Sequence, residues 1–440
     1  MMNNIGLKGL KIPGPRSLEL LKRQTNLETG TITYTDSFPI AIKRASGSVI
    51  EDMDGNKYID WVSGISVLNL GYNEEIISAV ANQMSSIWHA LEIPTEARIN
   101  FMETLKQTFP KNMQNYKIMF GISGADACET AINIAHAVHG GKGSTIAFEG
   151  AYHGVSGGII SATAGNKYRA GSYSSGFNII RVPYPYKFTP NSDVSDIMAL
   201  MKRIFLDPES GYSHPDSIIV EPILGEGGYV VPPPGFLRAI REFCDEFDLT
   251  MIVDEVQTGV GRTGKMWAFE WDNVQPDIVC ISKSIGGGIP VSVIYYRDDY
   301  DNLLSKPFHL GTYRANPLAL AAGTVVMKTV PRYFERVKED GRFIIDSFKK
   351  IDSPLIADVR GKGFMVGVEL YHGNSPLDGK TMMNIKHELL YNGLLMHTCG
   401  HFSNVFRFMG ALNIPDNELR EGIKIFSQVL LSENFKAGGQ

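Results

Sequence analysis

Cysteine is scarce, charge is close to balanced and long apolar runs are missing, and each shortage excludes something. The 440 residues hold 4 cysteines. Cys128, Cys244, Cys280 and Cys399 are scattered, three of them inside apolar or helical patterns, and no two form a Cys-x-x-Cys pair. That spacing argues against a disulfide framework and against zinc, so no metal site is expected. A net charge of -5 offers nucleic acid no electrostatic attraction. No stretch approaches the length and apolarity of a membrane span. Residues 1–17 lack the apolar core of a signal peptide, so a cytoplasmic protein is expected, with neither nucleic acid nor membrane as partner. Low-complexity tracts and fixed-period repeats are also missing.

What is there is a globular composition, 43% hydrophobic and 20% charged, on a chain longer than one core usually organises. Residues 1 to about 45 read as an irregular arm broken by Pro13-Gly14-Pro15. Residues 48–60 read as a hairpin turning at Asp54-Gly55. Residues 64–71 form a loop, and 74–88 show helical periodicity through Ile76, Ile77, Val80 and Met84. From 117 onward strands and helices alternate. Strands are expected at 117–120, 145–148, 178–182, 217–221, 250–254, 278–282 and 292–296, and helices at 125–138 and 235–247. This alternation predicts an α/β fold with a mostly parallel seven-stranded sheet covered on both faces. After about 330 the pattern changes: a helix near 333–350, strands near 356–371, a helix near 380–391, short strands near 394–408 and a last helix after Pro415. The expected division is residues 1–70 as arm and hairpin joining a small domain, 71–330 as the large domain, and 331–440 as a smaller C-terminal α/β domain.

Two apolar runs end in ionisable groups. Met251-Ile252-Val253 leads into Asp254, and Ile278-Val279-Cys280-Ile281-Ser282 leads into Lys283 and then Gly286-Gly287-Gly288. Parallel α/β sheets bind ligands beyond the carboxyl ends of their strands. An amine and a carboxylate delivered to one such edge are a catalytic pairing; a buried structural ion pair would read the same way. Ser123-Gly124-Ala125-Asp126-Ala127 follows a strand and opens a helix, with Ser123 as N-cap and Gly124 allowing close approach. Free amides there suit a phosphate, although a plain strand–turn–helix cap has the same pattern. Tyr152 and His153 lie in a glycine loop after another strand, and Gln257 lies three residues beyond Asp254. Tyr152 could stack on a flat ring, His153 could bond around the aspartate, and Gln257 could donate to a ring hydroxyl.

In their order along the chain these pieces resemble the class III, subgroup II, pyridoxal phosphate-dependent aminotransferases of fold type I. The matching segments include Asp54-Gly55-Asn56-Lys57-Tyr58-Ile59-Asp60, Gly64-Ile65-Ser66, Ser123-Gly124-Ala125-Asp126-Ala127, Ala151-Tyr152-His153-Gly154, Glu221-Pro222-Ile223-Leu224-Gly225-Glu226-Gly227-Gly228, Asp254-Glu255-Val256-Gln257-Thr258-Gly259, Ser282-Lys283-Ser284 and Gly311-Thr312. They span about residues 45–410.

The resemblance implies pyridoxal 5'-phosphate as cofactor and Lys283 as its Schiff-base lysine and proton shuttle. It implies that Asp254 holds the ring nitrogen, that Gly124 and Ala125 bind the phosphate, and that Tyr152 stacks on the ring. His153, Glu221 and Gln257 join the cofactor contacts. Thr312 would reach a neighbouring subunit's phosphate, making a homodimer, or a tetramer built on it, the working unit. Ile65, Glu226 and Arg407 are the implied substrate contacts, with Glu226 covering Arg407 until a 2-oxoglutarate carboxylate arrives. Val155 stands where the 4-aminobutyrate branch has a carboxylate-binding arginine. Arg314, Gly286-Gly287-Gly288-Ile289-Pro290 and Asp207-Pro208-Glu209-Ser210-Gly211 resemble the diaminobutyrate transaminases. Pro13-Gly14-Pro15-Arg16-Ser17 resembles members that racemise or epimerise amino acids. The implied reaction is therefore ping-pong transfer of an amino group, terminal on a diamino acid, amine or amino sugar, to a keto acid such as 2-oxoglutarate. Racemisation or epimerisation on the same scaffold is the alternative.

Overall fold

Seven short apolar runs become the strands of one sheet in the computed structural model, which describes residues 12–141, 143–171 and 176–432. They are β1 (Lys117–Gly121), β2 (Ser144–Phe148), β3 (Ile179–Val182), β4 (Pro215–Val220), β5 (Thr250–Asp254), β6 (Ile278–Ile281) and β7 (Ser292–Tyr296). Their order across the sheet is β1-β7-β6-β5-β4-β2-β3. Neighbours are parallel except at β7, which runs antiparallel to both β1 and β6. Every residue of β2, β4, β5, β6 and β7 is buried. Both faces of these strands are covered, which is why their sequences run apolar without alternating.

Two helices show how the cover is made. α1 (Gly124–Val138) lays Ala127, Cys128, Ala131, Ile132 and Ala135 on Ile219, Ile252, Ile278, Cys280 and Ile294 of the sheet. α2 (Phe236–Phe247) buries Phe236, Leu237, Ile240, Phe243 and Cys244 at helical spacing. Phe236 meets the Phe148 ring edge-on at 5.6 Å between centroids. The helix Pro317–Thr329 had no periodic signal because it is apolar nearly all round, and most of its residues are buried. Its Gly323 admits no side chain: a Cβ there would lie 2.2 Å from the Ile285 carbonyl oxygen.

The chain divides into two compact units, Glu74–Val337, which holds this sheet, and the described residues up to Asn73 together with those from Lys338. The second unit carries a four-stranded sheet of Ile42–Ser46, Val49–Asp52, Lys57–Asp60 and Leu394–Leu395. Its other sheet contains the hairpin Ile356–Lys362 with Met365–His372, then Val405–Phe408 and His397–Cys399. Trp61 packs edge-on against Phe408 at 4.8 Å.

The expected irregular N-terminal arm is corrected, while residues 1–11 lie outside the described residues. Pro15–Leu27 is a helix, with the proline at its first turn, where a missing N–H costs nothing. Its free amides are capped from a distance: Arg16 N and Ser17 N each donate to Asp54 at 2.9 Å. Gly14 makes room, since a Cβ there would meet Asp54 Cγ at 2.4 Å. The helix 74–88 is also shorter than expected, ending at Met84.

Candidate active site

The carboxyl ends of the strands converge on one cavity of about 300 Å³. The exit of β1 supplies Ser123, Gly124 and Ala125, and the exit of β2 supplies Tyr152, His153, Gly154, Val155 and Ser156. Glu221 and Glu226 follow β4, Asp254, Val256 and Gln257 come from β5, and Lys283 follows β6. Nine expected site residues (Gly124, Ala125, Tyr152, His153, Glu221, Glu226, Asp254, Gln257 and Lys283) therefore share one wall.

The β1 exit is built locally. Ser123 caps α1 by accepting the Asp126 amide at 3.2 Å. A Cβ on Gly124 would sit 2.8 Å from Val256 Cγ1, so glycine lets the helix start close on the β5 exit. Helix-start amides with the dipole behind them form an anion site. Asp126 accepts the Ile122 amide at 2.9 Å and faces His309 at 3.3 Å and Arg314 at 3.4 Å.

Asp254 is 3% exposed. Its Oδ2 accepts from His153 Nδ1 at 2.7 Å and from Cys128 Sγ at 3.2 Å, and its Oδ1 accepts the Val256 amide at 2.9 Å. Cys128, His153 and Asp254 lie close enough to suggest metal ligands. The 2.7 Å contact is a hydrogen bond, however, shorter than the roughly 3.3 Å between ligands on a tetrahedral zinc. The buried Cys128 thiol is pushed well up by desolvation, with Cys280 and Asp254 adding to it, so it donates as S–H.

Glu221 works as a staple. Its Oε1 accepts the Tyr152 amide at 2.9 Å and its Oε2 the Gly225 amide at 2.8 Å, tying the β2 and β4 exits together. Burial pushes it up to about 7, with nearby Asp254 adding to the rise and His153 opposing it. Glu226 accepts from Tyr168 Oη at 3.1 Å, and the Tyr168 ring stands edge-on to Tyr152 at 4.9 Å. Gln257 needs Gly225, where a Cβ would come 2.4 Å from its Oε1. Lys283 holds a left-handed backbone, φ 51, a conformation most side chains avoid and functional sites tolerate.

The other expected residues lie elsewhere. Thr312 is exposed. Its carbonyl accepts from His89 at 2.9 Å, and Asn316 Nδ2 donates to the Trp88 carbonyl at 3.0 Å, so two loops are tied side by side. Leu310, Tyr313, Trp88 and Ile93 in these loops are exposed apolar side chains. Ile65 and Arg407 belong to the other unit. Ile65 takes φ 62 and ψ 58, a strained choice for a β-branched residue. Arg407 is buried within Val405–Phe408, 1% exposed. Sequence reasoning missed Cys128 and Tyr168. Cys128 sits one turn inside α1 from Gly124, but its partner lies 126 residues away, so no local pattern announces the contact.

These residues fit pyridoxal 5'-phosphate. Among the described residues the buried Gln257 Oε1 and His153 Nε2 have no hydrogen-bond partner, and no arginine pairs with Asp254. A carboxylate with no arginine partner, side-chain amide and ring atoms without partners, an anion-ready helix start and a lysine form a donor set for a ligand with a cationic ring, a hydroxyl, a phosphate and an aldehyde.

Comparison with known proteins agrees. The sequence profile described as "Aminotransferase class-III" matches residues 32–430. A diaminobutyrate–2-oxoglutarate aminotransferase of Rhizobium meliloti is 36% identical over 423 residues, covering 91% of this chain and 89% of that protein. A 4-aminobutyrate aminotransferase of Mycobacterium leprae is 33% identical over 439 residues, covering 96% and 97%. The structure of ornithine aminotransferase from Toxoplasma gondii superposes with a TM-score of 0.82 at 26% identity, covering 96% of each chain.

Proposed function

Because the chain belongs to the class-III aminotransferases, fold type I enzymes that use pyridoxal 5'-phosphate, we propose that it moves the terminal amino group of a diamino acid or related amine to 2-oxoglutarate. The observation that carries the reading is the meeting of Lys283, Asp254 and the start of α1 around one cavity. When bound, the cofactor supplies the aldehyde that takes up the amino group and the ring that draws electrons from the donor carbon. Ser123, Gly124 and Ala125 hold its phosphate with helix-start amides. With the cofactor bound, Asp254 would keep the proton on the ring nitrogen, and Tyr152 and Gln257, on the same cavity wall, would contact the ring and its hydroxyl. Lys283, whose amine opens on the same cavity, would be the residue that holds the cofactor's aldehyde carbon and moves the donor-carbon proton. Glu74–Val337 acts as the cofactor-binding domain.

Three features support the donor class. Diaminobutyrate transaminases from several bacteria share 33–36% identity with this chain. Val155 on the cavity wall removes the arginine that the 4-aminobutyrate branch uses for a second carboxylate. Glu226 on the same wall suits a donor whose far end is cationic. Arg407, a buried guanidinium, offers the bidentate fork that suits a keto-acid carboxylate. The exposed apolar loops around Thr312 support a homodimer in which Thr312 serves its neighbour's phosphate.

An amine-donor screen tests the reading, scored by glutamate formation and by the chirality of recovered donor. Glutamate formed from a diamino acid is expected; inversion of the donor without a keto acid would make the enzyme an epimerase. Arg407→Ala should raise KM for 2-oxoglutarate about tenfold, the loss of a charge-assisted contact, and spare the donor half-reaction. Equal damage to both halves would mark Arg407 as structural.

A further inference from the structure

We infer that Cys128 is a positioning residue for this reaction: its thiol, donating to Asp254, helps hold that carboxylate where it would face the ring nitrogen. The inference rests on the cofactor reading above and not on the choice of donor.

Asp254 is 3% exposed and, among the described residues, no arginine pairs with it. Burial favours the neutral acid, and so does a second carboxylate nearby. Glu221 is that second carboxylate, at the exit of the neighbouring strand β4, and Glu226 lines the same cavity. On the other side β6 places Cys280 in register with Asp254 and carries Lys283 to the cavity. If Asp254 took a proton of its own, it could no longer hold one on the ring nitrogen, and the ring would draw electrons poorly.

Donors oppose that outcome, and there are three. Val256 N is backbone and comes with the strand. His153 Nδ1 was legible in the glycine loop after β2. Cys128 is the third, and it comes from α1, whose first turn forms the phosphate site. One helix would thus serve the cofactor at two points: amides at its start for the phosphate, and a thiol one turn further in for the carboxylate that would face the ring nitrogen. Because the thiol stays protonated in its buried setting, it remains a donor across the working pH range.

The experiment compares Cys128→Ala, Cys128→Val and Cys128→Ser with the unchanged holoenzyme. Cofactor dissociation is measured by dialysis from pH 5.5 to 8.5, and the visible band of the bound cofactor is titrated over the same range. Without the donor, the carboxylate loses one of the hydrogen bonds that favour its charged form, so cofactor affinity should fall on acidification at a higher pH than in the unchanged enzyme. At neutral pH, Ala and Val should weaken cofactor binding by about three- to tenfold. Serine, a stronger donor of similar size, should restore both affinity and pH profile. Equal loss in Ser, Ala and Val with no movement of the pH profile would show that Cys128 only fills space, and would overturn the inference. Unchanged affinity and band in Ala and Val would overturn it as well. An enzyme that binds cofactor normally yet transfers no nitrogen from diamino acids would instead overturn the donor assignment.

Discussion

Two buried aspartates of the central sheet, at opposite ends of adjacent strands, are held in different ways. Asp277, just before β6, is 4% exposed, and Asp254, closing β5, is 3% exposed. Asp277 accepts from Arg241 at 2.7 Å, from Arg297 at 3.1 Å and from the Met251 amide at 2.8 Å. Two guanidiniums answer its charge, and nothing further is needed there. Asp254 receives an imidazole, a thiol and an amide, and no arginine. None of its donors is a guanidinium, which suits the pairing with a cationic ring proposed above. A buried acid closed by arginines reads as structure, and one without them at the carboxyl edge of a parallel sheet is a candidate for chemistry.

Substitutions at both ends sharpen the contrast. Asp254→Asn should keep the fold and still bind cofactor, but lose turnover by about 100- to 1000-fold, as the ring becomes a poorer electron sink. Single-turnover kinetics beside a melting curve would check it, and near-normal turnover would break the contrast. Asp277→Ala should do the reverse. It removes a partner from two guanidiniums, of which Arg241 keeps Asp245 and Arg297 keeps Asp299, and should cost about 1.5–3 kcal/mol of stability in a denaturant titration, while turnover per folded molecule stays close to normal.

Glu255, next in the chain after Asp254, is an intermediate case. It is buried and accepts from Thr258 Oγ1 at 2.5 Å and the Phe269 amide at 2.8 Å. Burial pushes it up to about 8, so it is largely neutral in the folded protein at pH 7. The unfolded chain ionises near the ordinary 4.5. The folded state therefore binds the extra proton between those values, and this group's stabilisation is full below the lower one and declines as pH rises toward 8. The slope is at most about 1.4 kcal/mol per pH unit. Glu255→Gln should flatten this part of the stability profile, measured as melting temperature against pH; an unchanged slope would place the titration elsewhere. The smallest effect is expected at Asp54. Asp54→Ala removes the cap on Pro15–Leu27 and should cost about 1 kcal/mol, with amide exchange quickening at Arg16 and Ser17 and activity unmoved.

The two kinds of aspartate also differ in how far the sequence announces them. Asp254 could be picked out because it ends an unbroken apolar run and Lys283 ends another. The Ser123 cap and Gly124 were legible for a similar reason, since a helix start is written within four residues. The arginines that close Asp277 come from α2 and from the end of β7, and no local spacing points to them. The same is true of the Tyr168 contact to Glu226.

By itself, then, the sequence determined the strands, the mostly parallel sheet implied by their alternation with helices, and which ionisable residues stand at the strand ends. Those depend on burial and on backbone periodicity, which are properties of a few neighbouring residues. Only the tertiary structure decided that Asp54 caps the helix Pro15–Leu27 and that Cys128 reaches Asp254. The donor and acceptor of such bonds lie 37 and 126 positions apart and meet only when separate elements pack. A hydrogen bond carries no trace in the intervening chain, so its partner is chosen by the fold rather than by the sequence beside it.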